Sequence, residues 1–234
     1  MYIQHKTYTI QPSKGRRFAF GDVHGCFKTL VALLTKINAS DDDQLFFLGD
    51  MIDRGKHSEL VLDFLIHGQS NNKNVFCLRG NHEHYLLNII DRLDEETPRI
   101  FVAKNNLYFL FDKHKRMKLK YLEFFSNLPF YFELPNQYLV HAGFSFKGNP
   151  FENLEDMLTI RDFKPDLKFL ADKKFVIGHT PIGLSEIQKS VKKNAEVINI
   201  DNGCVLADRF SGKGNLVCID LETYEIFSQK NIEE

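Results

Sequence analysis

Carboxylates, imidazoles and one carboxamide recur along this chain at the ends of apolar runs, each within a glycine-bounded motif. Asp22 and His24 lie in Gly21-Asp22-Val23-His24-Gly25. Asp50, Asp53 and Arg54 lie in Gly49-Asp50-Met51-Ile52-Asp53-Arg54-Gly55. Asn81 and His82 follow in Gly80-Asn81-His82-Glu83, then His141-Ala142-Gly143 and Gly178-His179-Thr180. Oxygen and imidazole donors of this kind bind divalent cations, and a pair of cations sharing one carboxylate hydrolyses phosphate esters.

Each motif also has a plainer reading. Asp22 and His24 are two residues apart, so an extended backbone projects both toward one ion; the same pair equally suits a turn capping the next helix. A carboxylate such as Asp50 can bridge two cations, which two-metal hydrolases hold about 3.5–4 Å apart. The planar fork of Arg54 matches two phosphoryl oxygens, although Asp53-Arg54 alone also reads as a surface pair. Asn81 offers a neutral ligand oxygen. His82 alone would read as a structural histidine at a helix start; beside Asn81 it is free for proton transfer, with Asp53 as the carboxylate that orients its other nitrogen. His141 and His179 each end a strand-like run, and each alone suits a hydrogen-bonded core histidine. They gain weight together, because a second ion otherwise has only Asp50 and Asn81. Mixed carboxylate, imidazole and carboxamide donors suit manganese, iron or zinc better than calcium.

Strand, loop and helix alternate around the first three motifs. Arg17–Phe20, Gln44–Leu48 and Asn74–Leu78 read as strands. Cys26–Ile37, Ser58–Ile66 and Glu83–Leu93 read as helices. This grammar implies βαβ units and a mostly parallel inner sheet, whose ligands gather beyond the strands' carboxyl ends. Helix returns at Tyr121–Leu128, a hairpin is expected across Pro135-Asn136, and strands at Phe175–Ile177, Val197–Ile200, Leu216–Asp220 and Tyr224–Ser228. The last two should pair antiparallel across Leu221-Glu222-Thr223. A single domain spanning residues 1–234 is expected, with a phenylalanine-rich helical insertion near 95–130.

With 43% hydrophobic and 26% charged residues and a formal net charge of -1, the composition is that of a globular protein without a field for nucleic acid or membrane. Cys26, Cys77, Cys204 and Cys218 are scattered and form no CxxC, so reduced thiols are expected. Met1 to Arg17 is polar and lacks an apolar leader core. A cytoplasmic monomer is the expectation.

As a set, these motifs resemble those of the phosphoprotein phosphatase family within the calcineurin-like metallophosphoesterase superfamily: GDxHG, GDxxDRG, GNHE, then HAG-like and GHT-like histidines. The match spans residues 21–180. Leu158-Thr159-Ile160-Arg161-Asp162 and Ile200-Asp201-Asn202-Gly203-Cys204 resemble segments of its short bacterial serine/threonine branch. The resemblance implies an α/β metallophosphoesterase fold, with two mixed sheets packed as a sandwich and flanked by helices. It implies two divalent ions, manganese first, with iron or zinc as alternatives. Asp22 and His24 would hold one ion, Asp50 would bridge, and Asn81, His141 and His179 would complete the second. A metal-bridging hydroxide would attack phosphorus in line, Arg54 and Arg161 would clamp the phosphoryl oxygens, and His82, oriented by Asp53, would protonate the leaving oxygen.

Arg79 is a further candidate for substrate binding, or a strand-end arginine paired with Glu83 or Asp50. Asp201 is either a partner of the site or a turn former. The basic run Lys113–Lys120 reads as a solvated face rather than a phosphopeptide patch, and the phenylalanines around it as core. The expected function is phosphomonoester hydrolysis on phosphoserine or phosphothreonine proteins, or on a small phosphorylated substrate. The rival hydrolase is a symmetrical dinucleoside tetraphosphatase. Its members tend to carry ARG in place of Asp53-Arg54-Gly55 and GNHD in place of Glu83, which favours the phosphatase. A catalytically inactive binding module is the alternative of another class, and the full complement of ligands weighs against it.

Overall fold

The computed structural model describes residues 10, 12–71, 74–170 and 172–233, so most of the polar stretch Met1 to Arg17 lies outside the described residues. The first half runs β1 (Arg17–Phe20), α1 (Phe27–Lys36), β2 (Gln44–Phe47), α2 (Ser58–Ser70), β3 (Val75–Cys77) and α3 (Asn81–Ile89). Next come α4 (Glu96–Lys104), α5 (Leu119–Asn127), β4 (Tyr131–Glu133), β5 (Gln137–Val140), α6 (Leu154–Thr159) and α7 (Leu167–Leu170). The chain closes with β6 (Lys174–Ile177), α8 (Leu184–Lys192), β7 (Val197–Asn199), β8 (Asn215–Asp220) and β9 (Ile226–Lys230).

Two mixed sheets result, in the orders β3-β2-β1-β8-β9 and β4-β5-β6-β7. β1, β2 and β3 are parallel, as are β5, β6 and β7, while β8, β9 and β4 run antiparallel to their neighbours. Alternation along β1 and β2 divides the core. Phe18, Phe20 and Phe47 face Leu30 and Leu33 of α1 and Leu62 and Leu65 of α2. Ala19 and Phe46 turn instead into the layer between the sheets, among Phe132, Leu139, Val176 and Ile198. Each fully buried phenylalanine contributes roughly 1.5–3 kcal/mol. A third cluster, with Tyr138, Val140, Phe144 and Phe175, covers the outer face of the second sheet. Both sheets therefore direct the carboxyl ends of parallel strands toward one region, and every motif lies there.

Most boundaries differ from the sequence reading by a residue or two, and α2 runs on to Ser70 rather than Ile66. Helix α3 starts at Asn81 rather than Glu83, because the Glu83 carboxylate accepts the Gly80 N–H at 2.9 Å and completes its first turn. Its far end tightens into a 3₁₀ turn over Ile90–Arg92. Strand β9 starts at Ile226 rather than Tyr224, which takes φ 60° in the turn after β8.

Phe124, Phe125, Phe130 and Phe132 are buried, so the phenylalanines near the 95–130 segment serve mainly as core. The basic run is largely neutralised: Lys115 pairs with Asp94, Arg116 with Asp112 and Lys120 with Asp63. Among the described residues, no helix is long and apolar enough to cross a membrane.

Candidate metal centre and phosphate site

Asp50 stands at the middle of the site, 2% exposed in the loop after β2. One oxygen lies 3.5 Å from His24 Nε2, the other 3.5 Å from His141 Nε2. Two groups of ligand atoms meet there, His24–Asp50–His82 and Asp50–His141–His179, each within 4.8 Å of one another. Asp22 approaches from the far side. Its Oδ1 accepts the His179 N–H at 3.1 Å, and a Cβ on Gly178 would collide with that oxygen, so only glycine fits there. Gly80 is constrained likewise, since a Cβ would strike Asp50.

The imidazole tautomers are set from behind. His24 Nδ1 donates to the Ile52 carbonyl at 2.7 Å, His141 Nδ1 to Leu48 at 2.8 Å, and His179 Nε2 to Thr159 at 3.3 Å. Each ring thus presents its lone-pair nitrogen to the site, as metal-binding histidines do. His141 Nε2 and His179 Nδ1 both lie 3.0 Å from Asn81 Oδ1. With Asn81 Oδ1 turned toward them, three acceptors converge beside Asp50, an arrangement that a cation fits. The buried acids agree. Burial first, and then the charges of Asp201 and Asp50, push Asp22 well above the usual carboxylate range. Burial likewise raises Asp50 to about 7, against the favourable charge of His82. Positive charge at the centre would relieve both.

His82 is differently placed. Its Nδ1 donates to Asp53 Oδ2 at 2.6 Å, and its Nε2 accepts from Arg54 at 3.0 Å. Burial alone would lower its pKa, but the Asp53 bond and the Asp50 charge outweigh burial and raise it. This ring therefore combines a carboxylate-fixed nitrogen with one that faces Arg54, within reach of a cation at His24 and Asp50. Arg54 also donates to His24 Nε2 at 3.2 Å, so one guanidinium spans both imidazoles. His24, Asp50, Asp53, Arg54 and His179 all adopt left-handed φ, between 45° and 72°. Non-glycine residues hold such conformations, at about 1–3 kcal/mol each, only where the surroundings enforce them.

At Asp50 that enforcement comes from Glu83, expected from sequence as a branch marker or as a partner of Arg79. Its fully buried carboxylate accepts four backbone amides: Asp50 at 2.9 Å, Met51 at 2.8 Å, Ile52 at 3.2 Å and Gly80 at 2.9 Å. It clamps the Asp50 loop to the start of α3. An acidic third residue after a helix-opening glycine was the available signal.

Arg161 is exposed just beyond α6, and its charge, after burial, helps push His179 down to about 4. Its charge therefore reaches the second group of ligands. Asp201 has both expected characters: Oδ1 accepts the Gly203 N–H at 2.7 Å in a turn, while Oδ2 has no partner and its charge bears on Asp22.

Arg79 is a correction. Its guanidinium is buried, donates to the Phe125 and Ser126 carbonyls at 2.9 and 3.0 Å, and packs on the Phe130 ring. It holds the end of α5. Arg79→Ala should cost about 2–3 kcal/mol of stability and leave KM for phosphate substrates unchanged. Melting curves and KM check this; a higher KM without a lower melting temperature would return Arg79 to the site.

Comparison with known proteins agrees with this geometry. The profile of the calcineurin-like phosphoesterase family matches residues 16–208. The symmetrical bis(5'-nucleosyl)-tetraphosphatase of Haemophilus ducreyi is 33% identical over 131 residues, 55% of this chain and 45% of that protein. The asymmetrical bis(5'-nucleosyl)-tetraphosphatase of Oceanobacillus iheyensis is 26% identical over 219 residues, covering 82% of this chain and 85% of that one. Among solved structures, a chain provisionally assigned as a diadenosine tetraphosphatase superposes with a TM-score of 0.69 at 19% identity, covering 96% and 97% of the two chains. A serine/threonine phosphatase of Saccharomyces cerevisiae superposes with a TM-score of 0.62 at 16% identity, covering 94% and 81%. At those identities the two structures show a shared fold, and the α/β arrangement of two mixed sheets is theirs as well. The chain is a metallophosphoesterase-type hydrolase and belongs to the calcineurin-like phosphoesterase family.

Proposed function

We propose that the protein hydrolyses bis(5'-nucleosyl) tetraphosphates with two divalent ions, manganese first among them. The observation that carries the substrate class is the 219-residue similarity to an asymmetrical tetraphosphatase. The sequence argument for a protein phosphatase rested partly on Glu83. With that carboxylate bound to backbone amides, it marks a brace rather than a substrate. The ARG and GNHD differences set aside only the symmetrical branch.

Asp22 and His24 would hold one ion, Asn81, His141 and His179 the other, with Asp50 shared. Such ions supply a water nucleophile near neutral pH and neutralise phosphoryl charge. The chain's own residues do the rest. His82 Nε2 cannot carry a proton while it accepts from Arg54. A phosphate that draws the Arg54 fork onto its own oxygens frees Nε2 for protonation, with Nδ1 still held by Asp53. Binding the phosphate and arming the acid are then one event. Arg161, whose charge reaches His179, completes the clamp on the phosphoryl oxygens.

Phosphoserine or phosphothreonine hydrolysis is the second reading. It is favoured by the His82–Asp53 pair, because an alkoxide leaving group needs an acid more than a phosphate leaving group does. A manganese-supplemented assay over both substrates and a simple alkyl phosphate separates the readings. The dinucleoside tetraphosphate should show the highest kcat/KM and release nucleoside triphosphate and monophosphate. A higher kcat/KM on the phosphopeptide would overturn the proposal.

A further inference from the structure

Beside the site lies an aromatic pair that neither metal binding nor proton transfer uses. Tyr85 follows His82 by three residues on α3, so the two side chains are neighbours on one face, about 5–6 Å apart at Cβ. Phe101 of α4 packs on Tyr85 with ring centroids 4.8 Å apart and planes at 71°. One turn further along α4, Asn105 Oδ1 accepts the Arg54 N–H at 3.1 Å. The pair is thus bracketed by the proton-transfer histidine and the loop of the phosphate-binding arginine. Tyr85 remains 41% exposed.

We propose that Tyr85, held edge-to-face by Phe101, is the stacking platform for a nucleobase of the substrate, set beside the phosphate gripped by Arg54 and His82. The inference rests on the dinucleotide reading above and adds the residue that recognises the base. A base joined through ribose to a phosphate at Arg54 needs a flat apolar surface a few ångströms from that phosphate, and Tyr85 supplies one. Phe101 fixes the ring beforehand, so stacking costs little rotamer entropy. Stacking is tolerant of base identity, so the platform would accept any nucleoside end. Asn105, which ties α4 to the Arg54 backbone, keeps platform and phosphate grip in register.

The test compares binding rather than turnover. A dinucleoside tetraphosphate with methylene-bridged phosphates and ethenoadenine bases is titrated into the magnesium-loaded protein, with inorganic tripolyphosphate as the base-free ligand. The chain contains no tryptophan, so ethenoadenine fluorescence is read without indole emission, and magnesium in place of manganese keeps metal quenching out of the signal. Wild type should prefer the dinucleotide and quench its fluorescence. Tyr85→Ala should reduce that preference about tenfold or more and abolish the quench. Tyr85→Phe should retain both, as should Tyr108→Ala, which removes an exposed ring outside the pair. If wild type prefers the dinucleotide and Tyr85→Ala prefers it equally, the platform is wrong and the tetraphosphatase reading stands. If wild type shows no preference over tripolyphosphate, both the reading and the platform fall.

Discussion

Asp50→Asn is expected to remove bound metal and to lower turnover by about 10³-fold or more, roughly 4 kcal/mol of transition-state stabilisation. The reason is local. Among the described residues, Asp50 is the side chain whose two oxygens face His24 on one side and His141 on the other, each at 3.5 Å. Asparagine keeps one acceptor, turns a donor toward the other group and deletes the shared charge. Elemental analysis should fall from two ions per chain, in parallel with activity; unchanged phosphate release would end the two-metal account.

Metal-free stability should move the other way. Burial holds the Asp50 carboxyl at about 7 in the folded chain, far above about 3.9 in an unfolded one. Between these values the folded state binds the extra proton, so stability falls as pH rises from about 4 to about 7. Asparagine removes that loss. In chelator at pH 8 the variant should melt no lower than wild type, while only wild type gains from added manganese.

His82→Asn should separate proton transfer from metal binding. His82 Nδ1 is committed to Asp53 at 2.6 Å, so its loss should leave both ions in place. Turnover on alkyl phosphates, whose leaving oxygen requires a proton, should fall about 10²–10⁴-fold. Activated aryl phosphates should lose less than about tenfold, because their leaving groups depart as anions. The dinucleotide, with a phosphate leaving group, should lie between. Equal losses on all three substrates would contradict the acid role of His82.

The ligand types were legible because each motif is contiguous and sits where a parallel strand ends. Asp22, Asp50 and Asn81 follow β1, β2 and β3; His141 and His179 follow β5 and β6. Apolar periodicity therefore located the loops, and the loops carried the chemistry. What stayed hidden depends on contacts between segments distant in sequence. Nothing local to Arg79 shows that the Phe125 and Ser126 carbonyls will claim it. The carbonyls of Leu48, Ile52 and Thr159, which set three histidine tautomers, have no residue type to read. Glu83 was visible, but its four amide partners belong largely to the loop about 30 residues upstream. Substrate class was the least legible feature. The metal and phosphate groups serve any phosphate ester, whereas the surface beside them is assembled when Phe101 of α4 packs on Tyr85 of α3 and Asn105 reaches the Arg54 loop.

The claim on which the rest depends is that six side chains gather two cations around one carboxylate. Anomalous diffraction from manganese-soaked crystals tests it most directly. Two peaks are predicted, one against Asp22 and His24, the other against Asn81, His141 and His179, with Asp50 between them and His82 bound to neither. A single peak, or a peak ligated by His82, would contradict the account.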